Sequence, residues 1–474
     1  MAATSQTVDY VPLKLVVNEE TNTVIFAEAG KEFVDVLCSF LTFPLGTITR
    51  LVQKESNLEP VTVGCLNKLY QSVADLDKEC LTKEIIKEML LNPSYSLEDY
   101  CSTLKLNIDD TEPLKYYMCT SQSLFHCDCI DMISTSTACI ECMSGKTPIV
   151  YYVKKECNNG FVKDGATFII TDDLRVMPNS MDITSFVMLQ NLGLKSTSSL
   201  KEMTVHVTKG KVLDLLKCSL VSNSPLTDLF LGMKPILGWL SSIFSCGVEI
   251  TNDIQINNDI QITVKLVVRK TDGKILYAQG GHDFADFLLS FLTFPLGGVV
   301  RMFGGNCSLG SIDDLYASII ALDENLYFMK KEAKKRIVDP HLAPQFELSK
   351  QILPICQPRS RFYCHDDYYI TCEDTYISNF FGESMDKKTV WVERLVEDYV
   401  KGPRTYIVTD DLVVTECSPT SVLRLIKRFR TPLKDLKEKV INIGANECLS
   451  LLKASLTTTS ALTNGLGHLI TKVQ

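Results

Sequence analysis

The chain has 474 residues, of which 45% are hydrophobic and 22% charged, and its formal net charge is −9. This composition is the balance of an ordinary globular protein, and the length predicts two domains rather than one. The acidic balance, spread along the whole sequence, argues against a nucleic-acid partner.

Residues Met1 to Tyr10 lack the apolar run of a signal peptide. The first arginine is Arg50, so an Arg-rich transit peptide is not expected either. An intracellular protein, cytoplasmic or nuclear, follows, and the eighteen cysteines are expected to be thiols with a possible metal site among them.

Lys14 to Arg50 aligns without a gap with Lys265 to Arg301, with 18 of 37 positions identical. The most alike stretch is Ser39-Phe-Leu-Thr-Phe-Pro-Leu-Gly46 against Ser290 to Gly297. Phe168 to Leu174 then matches Tyr406 to Leu412, and Leu213 to Leu220 matches Leu449 to Leu456. The order is kept while the offset falls from 251 to 238 to 236. A repeat this long means tandem units rather than a solenoid. We place the first unit at residues 1–235, a linker at 236–260 and the second unit at 261–474.

The spacing predicts a hairpin at the start of each unit. Leu266 to Val268 and Ile275 to Tyr277 flank Asp272-Gly273, a type I′ turn signal, with Asn22 standing where Gly273 does. A helix follows on the stripe Phe33, Val34, Leu37, Phe40 and Leu41, repeated by Phe284, Phe287, Leu288, Phe291 and Leu292. Pro44 and Pro295 stop it and open a second helix. Such a stripe lines a cavity less often than it forms core.

Cys119, Cys127, Cys129, Cys139 and Cys142 lie within 24 residues. Cys139-x2-Cys142 lets two thiolates reach one ion from a tight knuckle, and Cys119 with Cys127 would complete a tetrahedral structural zinc site. Cys129 and His126 are alternative ligands. The second unit repeats the Cys-x7-Cys spacing at Cys364 and Cys372 but has Phe381 and Ser384 near the second knuckle, so it is expected to be metal-free. The opposing possibility is that these cysteines are small buried hydrophobes.

Farther on, Gly145-Lys146-Thr147 lacks the upstream glycine of a phosphate loop, since Ile140 stands there. Asp172-Asp173 and Asp410-Asp411, the repeated acidic pairs, read as turns between short strands rather than as Mg²⁺ ligands. A helix over Asp182 to Leu194, a strand over Met203 to Val207 and a helix over Val212 to Leu220 complete the unit. Leu229 to Val248 is apolar enough to suggest a membrane span, but Gly232, Lys234, Pro235 and Gly238 point to buried helix and linker. Two basic runs, Lys330 to Arg336 and Arg424 to Arg430, alternate with apolar residues as solvated helix faces do.

Hairpins mixed with helices predict an α+β fold: two tandem homologous units, each a mainly antiparallel sheet packed with helices, with a small zinc-ribbon-like loop at about residues 115–145 of the first. The Lys-Leu-Val-Val opening, Ser-Phe-Leu-Thr-Phe-Pro-Leu-Gly, Phe-Val-Lys before Thr-Asp-Asp-Leu, and the Leu-Leu-Lys-x-Ser-Leu ending together resemble the plant "domain of unknown function 674" family. The resemblance implies a land-plant protein built of a repeated unit, often ribbon-like at the cysteine loop, with no established activity and no catalytic residues to carry over.

No Gly-x-Ser-x-Gly or His-Glu-x-x-His motif is present, and none of the six histidines aligns with a histidine in the other unit. The sequence therefore predicts a non-enzymatic protein-interaction or scaffolding protein with one structural zinc, acting on another protein. Binding of a small molecule or lipid in an apolar cavity is the alternative, and a metal-dependent enzyme using the Asp pairs is the third reading.

Overall fold

The computed structural model describes residues 9–95, 97–111, 116–118, 132–134, 147–151, 160–179, 187, 190, 199–232, 260–355, 361–365, 369–371, 387–392 and 397–471. The cysteine-rich stretch, most of the 182–194 segment and residues 233–259 lie outside them.

The first unit contributes β1 (Tyr10–Asn18), β2 (Thr23–Gly30), β3 (Tyr116–Met118), β4 (Met132–Ser134), β5 (Thr147–Tyr151), β6 (Thr167–Thr171), β7 (Val176–Pro178) and β8 (Leu200–Thr208). The second contributes β9 (Ile262–Arg269), β10 (Ile275–Gly280), β11 (Arg361–His365), β12 (Tyr369–Thr371), β13 (Lys387–Val392), β14 (Tyr406–Thr409), β15 (Val414–Glu416) and β16 (Leu436–Ile443). Two five-stranded sheets result, ordered β7-β6-β2-β1-β8 and β15-β14-β10-β9-β16. Strand for strand they are the same topology, and every pairing in them is antiparallel. The α+β architecture of two like units is what the sequence pattern predicts.

The hairpins form where Asp-Gly and Asn mark them, but the turn is not type I′. Gly273 N–H donates to Arg269 O (2.9 Å) across the four-residue loop 270–273, of which only Gly273 takes a positive φ (+70°). Asn22 takes the same conformation at +52° in the first unit. One left-handed residue, rather than two, is what each loop demands.

The apolar stripes become core. The helix Lys31–Thr42 buries Phe33, Val34, Leu37, Phe40 and Leu41, and the helix His282–Ser290 with its 3-10 extension Phe291–Thr293 buries the matching set. Each such side chain contributes roughly 1.5–3 kcal/mol when fully buried. Pro44 and Pro295 then act as N-caps of the helices Leu45–Val52 and Leu296–Met302. A proline there lacks only an N–H that the helix would leave unpaired.

The most alike stretch of sequence is the one that meets its own repeat. Pro44 and Pro295 form an antiparallel bridge; Leu45 N–H donates to Phe294 O (2.9 Å) and Leu296 N–H to Phe43 O (3.0 Å). This is a two-fold seam, in which residue i of one unit meets j of the other and j meets i. A side chain on Gly46 would begin 2.9 Å from Leu292 O, and one on Gly297 would begin 3.0 Å from Leu41 O, so the backbones approach where only glycine fits. Identity at the seam follows from self-complementarity.

Two further pairs of contacts obey the same reciprocity. Cys65 N–H donates to Ser455 O (2.7 Å) and Ser311 N–H to Ser219 O (2.9 Å), so each Leu-Leu-Lys-x-Ser-Leu helix end receives a loop of the other unit. Val162 bridges Phe328 while Leu81 bridges Val400. Most of the buried apolar residues consequently form one hydrophobic cluster running through both units, with a small separate cluster on the outer face of each sheet. Two sheets thus share a single core.

One feature was not legible in the sequence. The six short strands β11-β12-β5-β3-β4-β13 close into a barrel to which each unit gives three. Within a unit the pairs are antiparallel, whereas the two junctions between units, β12 with β5 and β13 with β4, are parallel. Closure removes the free edges that two isolated three-stranded pieces would expose.

The barrel corrects one sequence correspondence. β12 occupies the place of β4, so Cys372, which follows β12, is not the counterpart of Cys127, which precedes β4. The joint between β11 and β12 is three residues, 366–368, against thirteen, 119–131, between β3 and β4. The shared Cys-x7-Cys spacing is therefore a coincidence of numbering, with Cys364 inside a strand.

Candidate functional site

Three places in the fold gather polar chemistry. Cys119, Cys127, Cys129, Cys139, Cys142 and His126 lie outside the described residues, but the strands carrying them do not. Met118, the last residue of β3, pairs with both Ile133 near the start of β4 and Thr147 at the start of β5. Cys119 is the next residue after Met118, Cys129 is three before Met132, and Cys142 is five before Thr147. The chain thus enters the cysteine-bearing stretches beside three strand ends at one rim of the barrel. Among the described residues no three His, Cys, Asp or Glu side chains are placed to hold a metal ion.

The second place is the Thr-Asp-Asp-Leu turn. Asp172 Oδ1 accepts from Thr227 N–H (2.8 Å) and its Oδ2 from Thr227 Oγ1 (2.5 Å), so it caps the helix Pro225–Leu231 from a distant segment. In the second unit Asp410 Oδ1 accepts from Thr463 N–H (2.8 Å), in the first turn of the helix Ala461–Thr471. A carboxylate there satisfies orphan N–H groups and meets the positive end of the helix dipole. Burial nevertheless pushes both carboxyls above their ordinary range. The neighbouring Asp173 and Asp411 turn instead to Thr171 and Thr409, with Asp411 Oδ1 2.5 Å from Thr409 Oγ1. Within each turn the two carboxylates engage different groups, and Leu174 and Leu412 close the turn at φ of +65° and +61° with their side chains buried.

Sequence reasoning missed the third place. Asp35 and Asp286 sit in the middle of the buried stripes, Phe-Val-Asp-Val-Leu and Phe-Ala-Asp-Phe-Leu. The signal was present, because a carboxylate kept at the same register of two apolar helices must have a buried partner. Asp35 Oδ1 accepts from the N–H groups of Phe161 (2.8 Å) and Val162 (2.9 Å). Asp286 Oδ1 accepts from those of Tyr399 and Val400, both at 2.9 Å. These segments, Phe161-Val-Lys163 and Tyr399-Val-Lys401, are the ones that bridge to the opposite unit at Phe328 and Leu81. Each acid thereby fixes an inter-unit contact.

The two acids differ in what faces the second oxygen. Lys31 Nζ lies 2.8 Å from Asp35 Oδ2 and also donates to Val162 O (2.6 Å). The second unit has His282 at the matching position, and Asp286 Oδ2 is buried without a hydrogen-bond partner. Burial raises Asp35 to about 6, with Lys31 pulling the other way. Burial raises Asp286 to about 8, and no cation offsets it. Burial therefore favours the protonated form far more strongly in Asp286 than in Asp35.

The thiols with described side chains are free cysteines, most of them buried. Burial pushes Cys65 and Cys218 up to about 12, so neither is a thiolate nucleophile at neutral pH. No described helix is long and apolar enough to cross a membrane.

Fold and site together define an α+β protein of two like units that interlock across a two-fold seam and complete one barrel between them. The chain belongs to the family described as a protein of unknown function, DUF674, whose match covers residues 7–446. No curated protein and no solved structure matches it.

Proposed function

We propose that this chain is a non-enzymatic intracellular protein, cytoplasmic or nuclear, that acts by binding another protein, with one structural zinc in the cysteine-rich loop of its first unit. The ligands are Cys119, Cys127, Cys139 and Cys142, with Cys129 or His126 as substitutes. The observation that supports the zinc is the pairing of Met118 with both Ile133 and Thr147, which sets the flanks of the cysteine stretches side by side. Four protein ligands leave no open position for water, so the ion has a folding role and no catalytic one. Such a site contributes on the order of 10 kcal/mol at neutral pH.

The enzyme reading draws little from the Asp pairs. Both oxygens of Asp172 are engaged by Thr227, and its neighbour Asp173 is bonded to Thr171. Metal analysis of the purified chain tests the proposal directly. It should return about one zinc per chain, lost in Cys142→Ser and kept in Cys364→Ser. A chain purified without chelators that contains no zinc would remove the site.

A further inference from the structure

We infer that the helix Pro419–Phe429 and the segment after it form a docking face for an anionic phospholipid surface. The helix is the outermost layer of the second unit. Val422, Leu425 and Phe429 pack onto Val267, Leu276, Tyr277 and Ile407 of the sheet, yet no residue of the helix is fully buried. Its outward face is Thr420, Leu423, Arg424, Lys427 and Arg428, all exposed at helical spacing, and Arg430 follows in the left-handed cap.

None of the side chains of Arg424, Lys427, Arg428 and Arg430 forms an ion pair or hydrogen bond with a described residue. The other basic helix, Lys331–Val338, is a control within the same molecule, because three of its four cations are engaged by the fold. Lys334 Nζ donates to Ile320 O and Leu322 O (both 2.7 Å), Lys331 lies 3.3 Å from Glu324, and Arg336 stacks on Tyr100. Four unpaired cations on a chain of net charge −9 call for an anionic occupant.

Exposed aliphatic side chains decide which anion. Leu423 is 59% exposed on the basic face, and in the segment that follows Leu433 and Val440 are 70% and 62% exposed, where Lys434, Lys437 and Lys439 outnumber Asp435 and Glu438. Nucleic acid rewards stacked aromatics and polar base contacts, not leucine. A lipid interface rewards both terms, phosphate groups for the cations and acyl chain for the leucines. The first unit offers no such face by sequence, since residues 181–198 contain Lys195 as their one basic residue and no arginine. The lipid surface is therefore a property of the second unit alone.

Co-sedimentation of the full chain with vesicles tests this. Binding should appear with phosphatidylcholine mixed with phosphatidylserine, be absent with phosphatidylcholine alone, and fall at high salt. The double variant Lys427→Gln/Arg428→Gln should lower the partition coefficient about 25-fold, at roughly fivefold per cation. Leu423→Ser should weaken it further, whereas Lys335→Gln on the other basic helix should leave it unchanged. All these residues are exposed, so unchanged circular dichroism confirms that each variant is folded. Equal binding to both vesicle types, no binding to either, or full binding by the folded double variant would overturn the inference.

Discussion

The first unit and the second unit share their seam and differ at their edges. The contacts along the seam are present twice: the Pro44–Pro295 bridge, the loop on each Leu-Leu-Lys-x-Ser-Leu helix end, and the buried acid that holds each bridging segment, whereas the ion pair of Arg175 with Asp314 at the periphery occurs once. What serves one unit alone has drifted. Lys31 faces Asp35 but His282 stands in the second unit, and thirteen residues join β3 to β4 where three join β11 to β12. Self-complementary contacts change only in pairs, so a single substitution there is opposed from both sides. Peripheral positions carry no such restriction, which is where the cysteine loop and the basic helix arose.

The sharpest internal difference is a lysine. Lys217 is fully buried and donates to Lys54 O (2.8 Å), Ser56 Oγ (2.5 Å) and Leu58 O (3.0 Å), while the buried Asp214 holds Asn57 and the Leu58 N–H of the same loop. The second unit has Ser450 and Lys453 at these positions, and the half-buried Lys453 makes one long hydrogen bond, to Asn306 O (3.3 Å), and lies 5.7 Å from the centre of the Phe303 ring. Lys217→Met should therefore destabilise by about 3–5 kcal/mol in urea titration, because it leaves the carbonyls of Lys54 and Leu58 and the Ser56 hydroxyl without their donor. Lys453→Met should cost less than about 1 kcal/mol. Equal costs would break the comparison.

At the seam the expectation is the reverse. Gly46→Ala and Gly297→Ala should each cost about 1–3 kcal/mol by overpacking, and by similar amounts. A large effect in one with none in the other would mean that the two sides of the seam are not equivalent.

The buried acids predict a pH dependence with a definite sign. A carboxyl whose pKa is higher folded than unfolded carries an extra proton in the folded state, so stability is greatest at low pH and falls as pH rises to the folded value. Asp35 gives up its share between about pH 4 and 6, and Asp286 continues to about 8. Between pH 6 and 8 Asp286 accounts for a fall of roughly 2 kcal/mol, and Asp286→Asn should remove that part of the slope while Asp35→Asn leaves most of it. Lys31→Met should move the fall due to Asp35 to higher pH, toward that of Asp286. The smallest effect is Asp286→Asn measured at pH 6, within about 1 kcal/mol of wild type, because the amide resembles the protonated acid already present.

Much of the fold was legible in the sequence for local reasons. Asp-Gly and Asn fixed the hairpins, the Phe/Leu stripes fixed the first helices, and the repeated Thr-Asp-Asp-Leu fixed a turn, each within a few residues of chain. The barrel was not, because strands of three residues such as Tyr369–Thr371 carry too little periodicity to register and find partners in the other unit. Spacing misled at Cys372, since an equal number of intervening residues says nothing about which strand lies between them. Asp35 and Asp286 are hidden by periodicity, because a hydrophobic stripe is defined by its apolar members and not by the one carboxylate inside it.

The central claim is that the two units share one core and fold as one body. Calorimetric unfolding of the full chain tests it most directly. The account predicts a single transition whose calorimetric and van't Hoff enthalpies agree, with its midpoint lowered by Gly46→Ala and by Gly297→Ala alike. Two resolved transitions, each sensitive to only one of the two substitutions, would contradict it.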